Sequence, residues 1–290
     1  MVLSLNGFIK DIKLGVLMPA FPIDFSDRKL LGRSGELVSA IGLGTWGIRD
    51  YRNAERALIH AIEVGLNLID TAEMYGSGRA EELVGRVAKL VGGDVFITTK
   101  LLPQHFTSRD SAIKAARMSL RRLGLESVDL ILIHWPNPSV PISTQVKALE
   151  AIAAEGLCRY IGVSNFNLSE LIEALSSTSK YDIVVDQVKY NVYHRVIERD
   201  LLPYAIREGI AIQAYTPLES GSVANDAKLA SIGSKYSKTA VQVALNFLIC
   251  RPYVVAIPKT EKVERVDEFR GALGWRLSES DVDYIEREFK

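Results

Sequence analysis

The sequence predicts an α/β fold of the (β/α)8 TIM-barrel type, with an N-terminal β-hairpin and an extra C-terminal helix. Two observations carry this. Short apolar runs recur eight times along the 290 residues, with segments of helical period between them. Several of these runs end in a polar residue, on or just beyond the last apolar position: Asp70, Lys100 and His134, with Tyr75 shortly after Asp70. In a parallel βα array the strand C-termini all open onto one face, where such folds carry chemistry.

The elements follow in order. Leu30-Leu-Gly-Arg-Ser-Gly-Glu-Leu-Val places a Ser-Gly turn between two apolar arms, which predicts a hairpin ahead of the first barrel strand. The strands then read Ala40–Gly44, Leu66–Asp70, Val95–Lys100, Val128–His134, Tyr160–Ser164, Ile183–Val188, Ile210–Tyr215 and Val254–Pro258. Helical periods fall at Ala54–Val64, Ala80–Leu90, Ser108–Leu123, Ser143–Glu155, Asn167–Leu175 and Thr239–Leu248, with a terminal helix at Ser278–Phe289. Ser143 and Asn167 are the expected N-caps; Gly65, Gly124, Gly156 and Gly209 are the expected stops. A doubly wound sheet would need fewer strands or a second domain, and no Pro/Gly/Ser linker divides the chain. We therefore expect one barrel domain over 28–290, preceded by an extension over 1–27 of unassigned role, with Met18 as a possible internal start.

One motif points elsewhere. Gly42-Leu-Gly-Thr-Trp-Gly47 fits G-x-G-x-x-G after a strand, and Asp70 ends the next strand, as in a dinucleotide-binding turn. That turn works because its last glycines open a helix whose N-terminus holds a pyrophosphate. Here Ile48-Arg-Asp-Tyr-Arg-Asn intervenes, with helical pattern expected only from about Asn53. A wide loop at a barrel mouth fits better.

Composition is that of an ordinary globular chain, 48% hydrophobic and 24% charged. Lys plus Arg equals Asp plus Glu at 35 each, which gives no reason to expect nucleic acid or an anionic membrane as partner. Cys158 and Cys250 follow neither metal nor redox spacing and read as buried free thiols in a reducing, cytoplasmic setting. No apolar stretch is long enough to span a membrane. No cluster has metal-ligand spacing, so no metal is expected.

An acid, a phenol, an amine and an imidazole converging on one face make a proton-transfer site. A phenol with a pKa of about 10 is a poor acid-base at neutrality. An ammonium beside it favours the phenolate, and a carboxylate beyond holds the ammonium charged. Asp70, Lys100 and Tyr75 therefore read as a chain that lowers the Tyr75 pKa, with His134 to orient a carbonyl oxygen and share its developing charge. The set suits protonation of a carbonyl oxygen, which calls for a hydride donor.

Gly42-Leu-Gly-Thr-Trp, Leu68-Ile-Asp-Thr-Ala-Glu-Met-Tyr-Gly, Ile97-Thr-Thr-Lys, Leu132-Ile-His-Trp-Pro, Ile161-Gly-Val-Ser-Asn-Phe, Gln187, Ala214-Tyr-Thr-Pro-Leu and Ile257-Pro-Lys occur in one order. Over about residues 28–290 this pattern resembles the aldo-keto reductases, and most of all the prokaryotic aldehyde and diketogulonate reductase-like members. The resemblance implies a (β/α)8 barrel that binds NAD(P)H extended across its mouth. It implies that Asp70, Tyr75, Lys100 and His134 form the catalytic tetrad, with Tyr75 as proton donor. It further implies that Ser164, Asn165 and Gln187 clamp the nicotinamide carboxamide and that Tyr215 stacks on the nicotinamide. Thr45 and Trp46 would lie near the cofactor, and Thr216, Leu218 and Ser220 in the loop over the pyrophosphate. Lys259, Thr260, Arg265 and Glu268 would form the adenosine end. Lys259 and Arg265 with a hydroxyl suit a 2′-phosphate, so NADPH is expected ahead of NADH. Phe269 stands where asparagine is usual, which should remove an adenine hydrogen bond.

The chain stops after its terminal helix, so the third pocket-covering segment is expected to be short or absent. An open mouth with Trp46 and Trp135 suits small aldehydes and activated ketones as substrates. A monomer or small homo-oligomer is expected. Two other functions share the same residues: a cofactor-binding regulatory subunit without turnover, and a Schiff-base lyase with Lys100 as nucleophile.

Overall fold

The computed structural model describes residues 21–289. An antiparallel hairpin comes first, β1 (Arg28–Leu30) with β2 (Leu37–Ser39). Then follow β3 (Leu43–Gly44), α1 (Tyr51–Glu63), β4 (Leu68–Asp70), α2 (Arg79–Val91), β5 (Phe96–Leu101) and α3 (Arg109–Leu123). The middle of the chain holds β6 (Val128–Ile133), α4 (Ile142–Ala154), β7 (Cys158–Ser164), α5 (Leu168–Ser177), β8 (Ile183–Lys189) and α6 (Leu201–Glu208). Next are β9 (Ala211–Tyr215), α7 (Ala227–Tyr236), α8 (Ala240–Ile249), β10 (Val254–Ala256), α9 (Val263–Arg270) and α10 (Glu279–Glu288). Strands β3 to β10 lie in chain order in one parallel sheet. The sheet closes on itself where Ile41 bridges Ala256, with Gly42 N donating to Ala256 O and Ala256 N to Ala40 O. All eight expected strands and the hairpin are present, so the barrel expectation holds.

Alternation along each strand divides the apolar residues into two cores. Ile69, Ile97, Ile131 and Ile161 point outward to the helices and join the larger core. Leu68, Phe96, Leu130, Leu132 and Val185 point inward and fill the barrel together with Leu31 and Val38 of the hairpin, which plugs its N-terminal end. Gly162 makes room inside: a Cβ there would lie 2.6 Å from Leu132 Cδ2.

The first two glycines of the G-x-G-x-x-G motif serve packing. A Cβ on Gly42 would fall 2.7 Å from Leu68 O, and one on Gly44 would fall 3.1 Å from Ile257 O. Both allow adjacent barrel segments to approach. Helix α1 begins at Tyr51, slightly earlier than expected, because Asp50 caps it by accepting from Asn53 N. Asn167 forms a capping box with Glu170, as its sequence position implied. Ser143 does not cap α4. The helix starts one residue earlier, after Pro141, whose fixed φ suits an entry turn. Gly124 and Gly209 end α3 and α6 in the left-handed conformation.

Residues 21–27 pack on the barrel: Phe21 is buried beneath Arg251, Asp24 pairs with Lys29 at 2.6 Å and Asp27 with Arg276 at 2.9 Å. The expectations on residues 1–20, Met18 included, lie outside the described residues.

Candidate active site at the barrel mouth

The inward period that fills the barrel with leucine turns polar at its C-terminal end. Leu68 is followed two residues on by Asp70, Phe96 by Thr98 and Lys100, and Leu132 by His134. Tyr75 lies in the loop after β4, where Gly76, Ser77 and Gly78 take φ values of 55°, 55° and 93° in succession. Two glycines make this left-handed turn tolerable, and a Cβ at Gly76 would strike the Tyr51 hydroxyl at 2.2 Å.

The four side chains meet. Lys100 Nζ donates to both oxygens of Asp70 at 2.7 and 2.8 Å and to Thr71 O at 2.8 Å. It stands 4.7 Å from the centroid of the Tyr75 ring, whose edge-to-face neighbour at 5.7 Å is His134. Asp70 and Lys100 are almost wholly buried. Burial opposes the Lys100 charge, but Asp70 and Tyr75 together outweigh it and hold the ammonium above its ordinary value. Burial raises Asp70, and Lys100 and Gln187 only partly offset the rise.

Tyr75 corrects the sequence reading. Burial raises its pKa, and the Lys100 ammonium pulls it down by less, so the phenol lies above 10 rather than below. It therefore holds its proton at neutral pH. Burial first, and then Lys100, lowers His134 to about 3, which leaves a neutral imidazole. Its Nδ1 is buried without a partner. The site holds one fixed ion pair, one protonated phenol and one uncharged imidazole.

Several of the expected cofactor residues hydrogen-bond to this centre or to one another. Ser164 Oγ donates to Gln187 O at 2.8 Å, and Asn165 Nδ2 donates to His134 O at 3.0 Å. Tyr215 donates its hydroxyl to Asn165 Oδ1 at 2.8 Å. Gln187 faces inward and donates to Asp70 Oδ1 at 2.7 Å. Thr45 is buried and donates to Asp70 O at 3.0 Å, while Trp46 is 67% exposed and Trp135 is 37% exposed. Thr216, Leu218 and Ser220 lie in the loop after β9, with left-handed φ at Thr216, Glu219 and Ser220. Lys259 and Thr260 follow β10, and Arg265 and Glu268 lie on α9. Lys259 and Arg265 are not free cations: Glu261 pairs with the first and Glu268 with the second. Phe269 is buried in the outer core, which accounts for an apolar residue there.

Sequence reasoning missed several supports. Gln213 accepts from Gln187 at 2.9 Å; a lone amide inside the apolar run Ile210–Tyr215 was the available signal. Glu73 accepts from Leu102 N at 2.6 Å behind Tyr75. Lys189 pairs with Glu219 at 2.9 Å, and Asn191 Nδ2 donates to Thr216 O at 3.0 Å, tying down the loop after β9. These pairings join residues far apart in sequence. Among the described residues no group of His, Cys, Asp and Glu could hold a metal ion, and no helix is long and apolar enough to cross a membrane.

The donor set is of a kind that can hold a dinucleotide. Lys259, Thr260 and Arg265 offer a hydroxyl and two cations, each cation paired with a carboxylate, while the Tyr215 ring and the Asn165 amide lie beside His134.

The chain is similar to known reductases. A methylglyoxal reductase of Escherichia coli strain K12 is 33% identical, over 90% of this chain and 95% of the relative. Among solved structures, a thermostable aldo-keto reductase in complex with epalrestat superposes with a TM-score of 0.83 at 41% identity, covering 90% of this chain and 98% of that one. An aldo/keto reductase from Klebsiella pneumoniae, in complex with NADP and acetate, gives 0.85 at 32% identity, covering 91% and 96%. The model of the aldo/keto reductase family matches residues 40–288, which contain the whole barrel and all four converging side chains, and the chain belongs to that family.

Proposed function

We propose that Tyr75 is the proton donor in an NADP(H)-dependent reduction of small aldehydes and activated ketones, with NADPH preferred to NADH. One observation carries the reading: the Lys100 ammonium sits between the Asp70 carboxylate and the Tyr75 ring, with neutral His134 alongside.

Bound reduced nicotinamide supplies the hydride to the carbonyl carbon. The rest is the work of this chain. Tyr75 keeps its proton until negative charge develops on the carbonyl oxygen, then transfers it there. The phenolate left behind is stabilised by Lys100, whose charge Asp70 maintains. Neutral His134 donates to the same oxygen and orients it. Ser164, Asn165, Gln187 and Tyr215 would hold the nicotinamide end. Thr216, Leu218 and Ser220 would cover the pyrophosphate, and Lys259, Thr260, Arg265 and Glu268 would hold the adenosine end.

Trp46, Met74 and Trp135 are exposed apolar groups around the mouth. They give flat contact area rather than an enclosing pocket. Together with the methylglyoxal-reducing relative, this favours small 2-oxoaldehydes over bulky rigid ketones.

A Schiff-base lyase needs Lys100 as a free amine. Asp70 holds it charged against the opposing effect of burial, which disfavours that chemistry. The test is a nicotinamide fluorescence titration with NADPH and NADH, followed by absorbance decay with methylglyoxal and an aromatic aldehyde. Binding with turnover is expected. Binding without turnover would favour a regulatory subunit. No binding, with borohydride trapping of substrate on Lys100, would favour the lyase.

A further inference from the structure

The adenosine end of the proposed site contains an anion that sequence reasoning passed over. Glu261 pairs with Lys259, and the two side chains are only 18% and 31% exposed. The same carboxylate accepts the backbone N–H groups of Arg49 and Asp50, at 3.0 Å each, on the loop that leads into α1. It is thus gripped from two loops across the seam where the barrel closes. Burial alone would raise its pKa; the Lys259 ammonium and the two amides outweigh this and keep Glu261 ionised. Arg265 is likewise engaged by Glu268, which also accepts from Thr239 Oγ1 at 2.8 Å. Both cations assigned to the phosphate, Lys259 and Arg265, are thus paired with a carboxylate.

We infer that Glu261 sets the cofactor choice: its anchored carboxylate beside Lys259 narrows the preference for NADPH and lets the protein use NADH as well. The inference rests on the NADP(H) reading above. A 2′-phosphate brings up to two negative charges to Lys259, where one negative charge is already fixed. The phosphate must share the ammonium and meets like-charge repulsion. An unphosphorylated ribose brings no charge, and its hydroxyls can donate to a carboxylate. Glu261 therefore penalises only the phosphorylated cofactor. The two backbone amides matter because they keep the carboxylate from turning away to relieve the repulsion.

Nicotinamide fluorescence titrations give Kd for NADPH and NADH separately, without turnover. Glu261→Gln keeps the size and an oxygen for the amides but removes the charge. It should raise the ratio Kd(NADH)/Kd(NADPH) by about tenfold, mostly through tighter NADPH, the effect of one like charge removed at a partly screened site. Lys259→Met should lower the ratio, and added salt should compress the difference between wild type and Glu261→Gln. If Glu261→Gln weakens or strengthens both cofactors by the same factor, or leaves the ratio unchanged, Glu261 only ties two loops together and the inference is overturned. If wild type binds neither cofactor, the reductase reading itself fails and the inference falls with it.

Discussion

Gln187 donates a hydrogen bond from Nε2 to Oδ1 of Asp70 at 2.7 Å. The amide expected at the nicotinamide therefore also supports the carboxylate that keeps Lys100 charged. Gln187→Met should remove a donor that holds Asp70 down, letting its carboxyl rise further and loosening its grip on Lys100. We expect kcat to fall by about tenfold, the range of one charge-assisted hydrogen bond, with NADPH affinity also reduced. Steady-state kinetics beside a cofactor titration read both; an unchanged kcat would show that the link carries nothing.

Tyr75→Phe removes the proton donor and leaves the ring that contacts Lys100 at 4.7 Å and His134 at 5.7 Å. The loss in kcat should be about 10²–10⁴-fold, the usual contribution of a positioned acid, while NADPH binding is nearly retained. Full activity in this variant would remove Tyr75 from its role.

The fold was legible because barrel strands are short apolar runs with a hydrophobic exterior face and a filled interior, so each stood out from the helices around it. The converging residues were legible because Asp70, Lys100 and His134 break those runs at their C-terminal ends, where a parallel barrel opens. What could not be read was the net balance of opposing effects. Lys100 beside Tyr75 implied a lowered phenol pKa, yet burial, which depends on the whole fold, reverses the sign. Lys259 and Arg265 read as free cations because a carboxylate two or three residues away has no fixed position until the loop is folded. Glu73 and Gln213 act across elements distant in sequence and left only weak local signals.

Acid should affect stability before it affects the chemistry. His134 has a folded pKa of about 3, lowered by burial and then by Lys100, against about 6.5 in an unfolded chain. Between those values the unfolded state binds the extra proton, so this group's share of stability is lost as pH falls from about 6.5 toward 3. Melting temperature against pH should therefore fall less steeply for His134→Gln than for wild type. Equal slopes would mean that His134 is protonated in the folded protein.

Alkali should act on the rate. A proton donor works only while protonated, and Tyr75 lies above its ordinary value of 10. The kcat for reduction should stay level through neutrality and fall only as pH rises toward and past that value. A limb near pH 7 would mean that another group donates the proton, or that bound cofactor lowers Tyr75 well below its value here.

Glu73, two residues before Tyr75, accepts from Leu102 N at 2.6 Å and faces His105 Nε2 at 3.1 Å and Arg122 at 3.8 Å. Its own N–H donates to Lys100 O at 3.1 Å. The loop that presents Tyr75 is thereby fixed to the strand that presents Lys100. Glu73→Ala should leave the Leu102 amide without its acceptor, costing about 1–3 kcal/mol, and should let Tyr75 drift from Lys100. We expect lower kcat with little change in KM or in NADPH affinity, because only the proton donor moves. Glu73→Gln still offers an oxygen to Leu102 and should recover most of kcat. If instead both variants lose melting temperature equally while kcat stays at the wild-type level, Glu73 contributes stability and Tyr75 is placed by its left-handed turn alone.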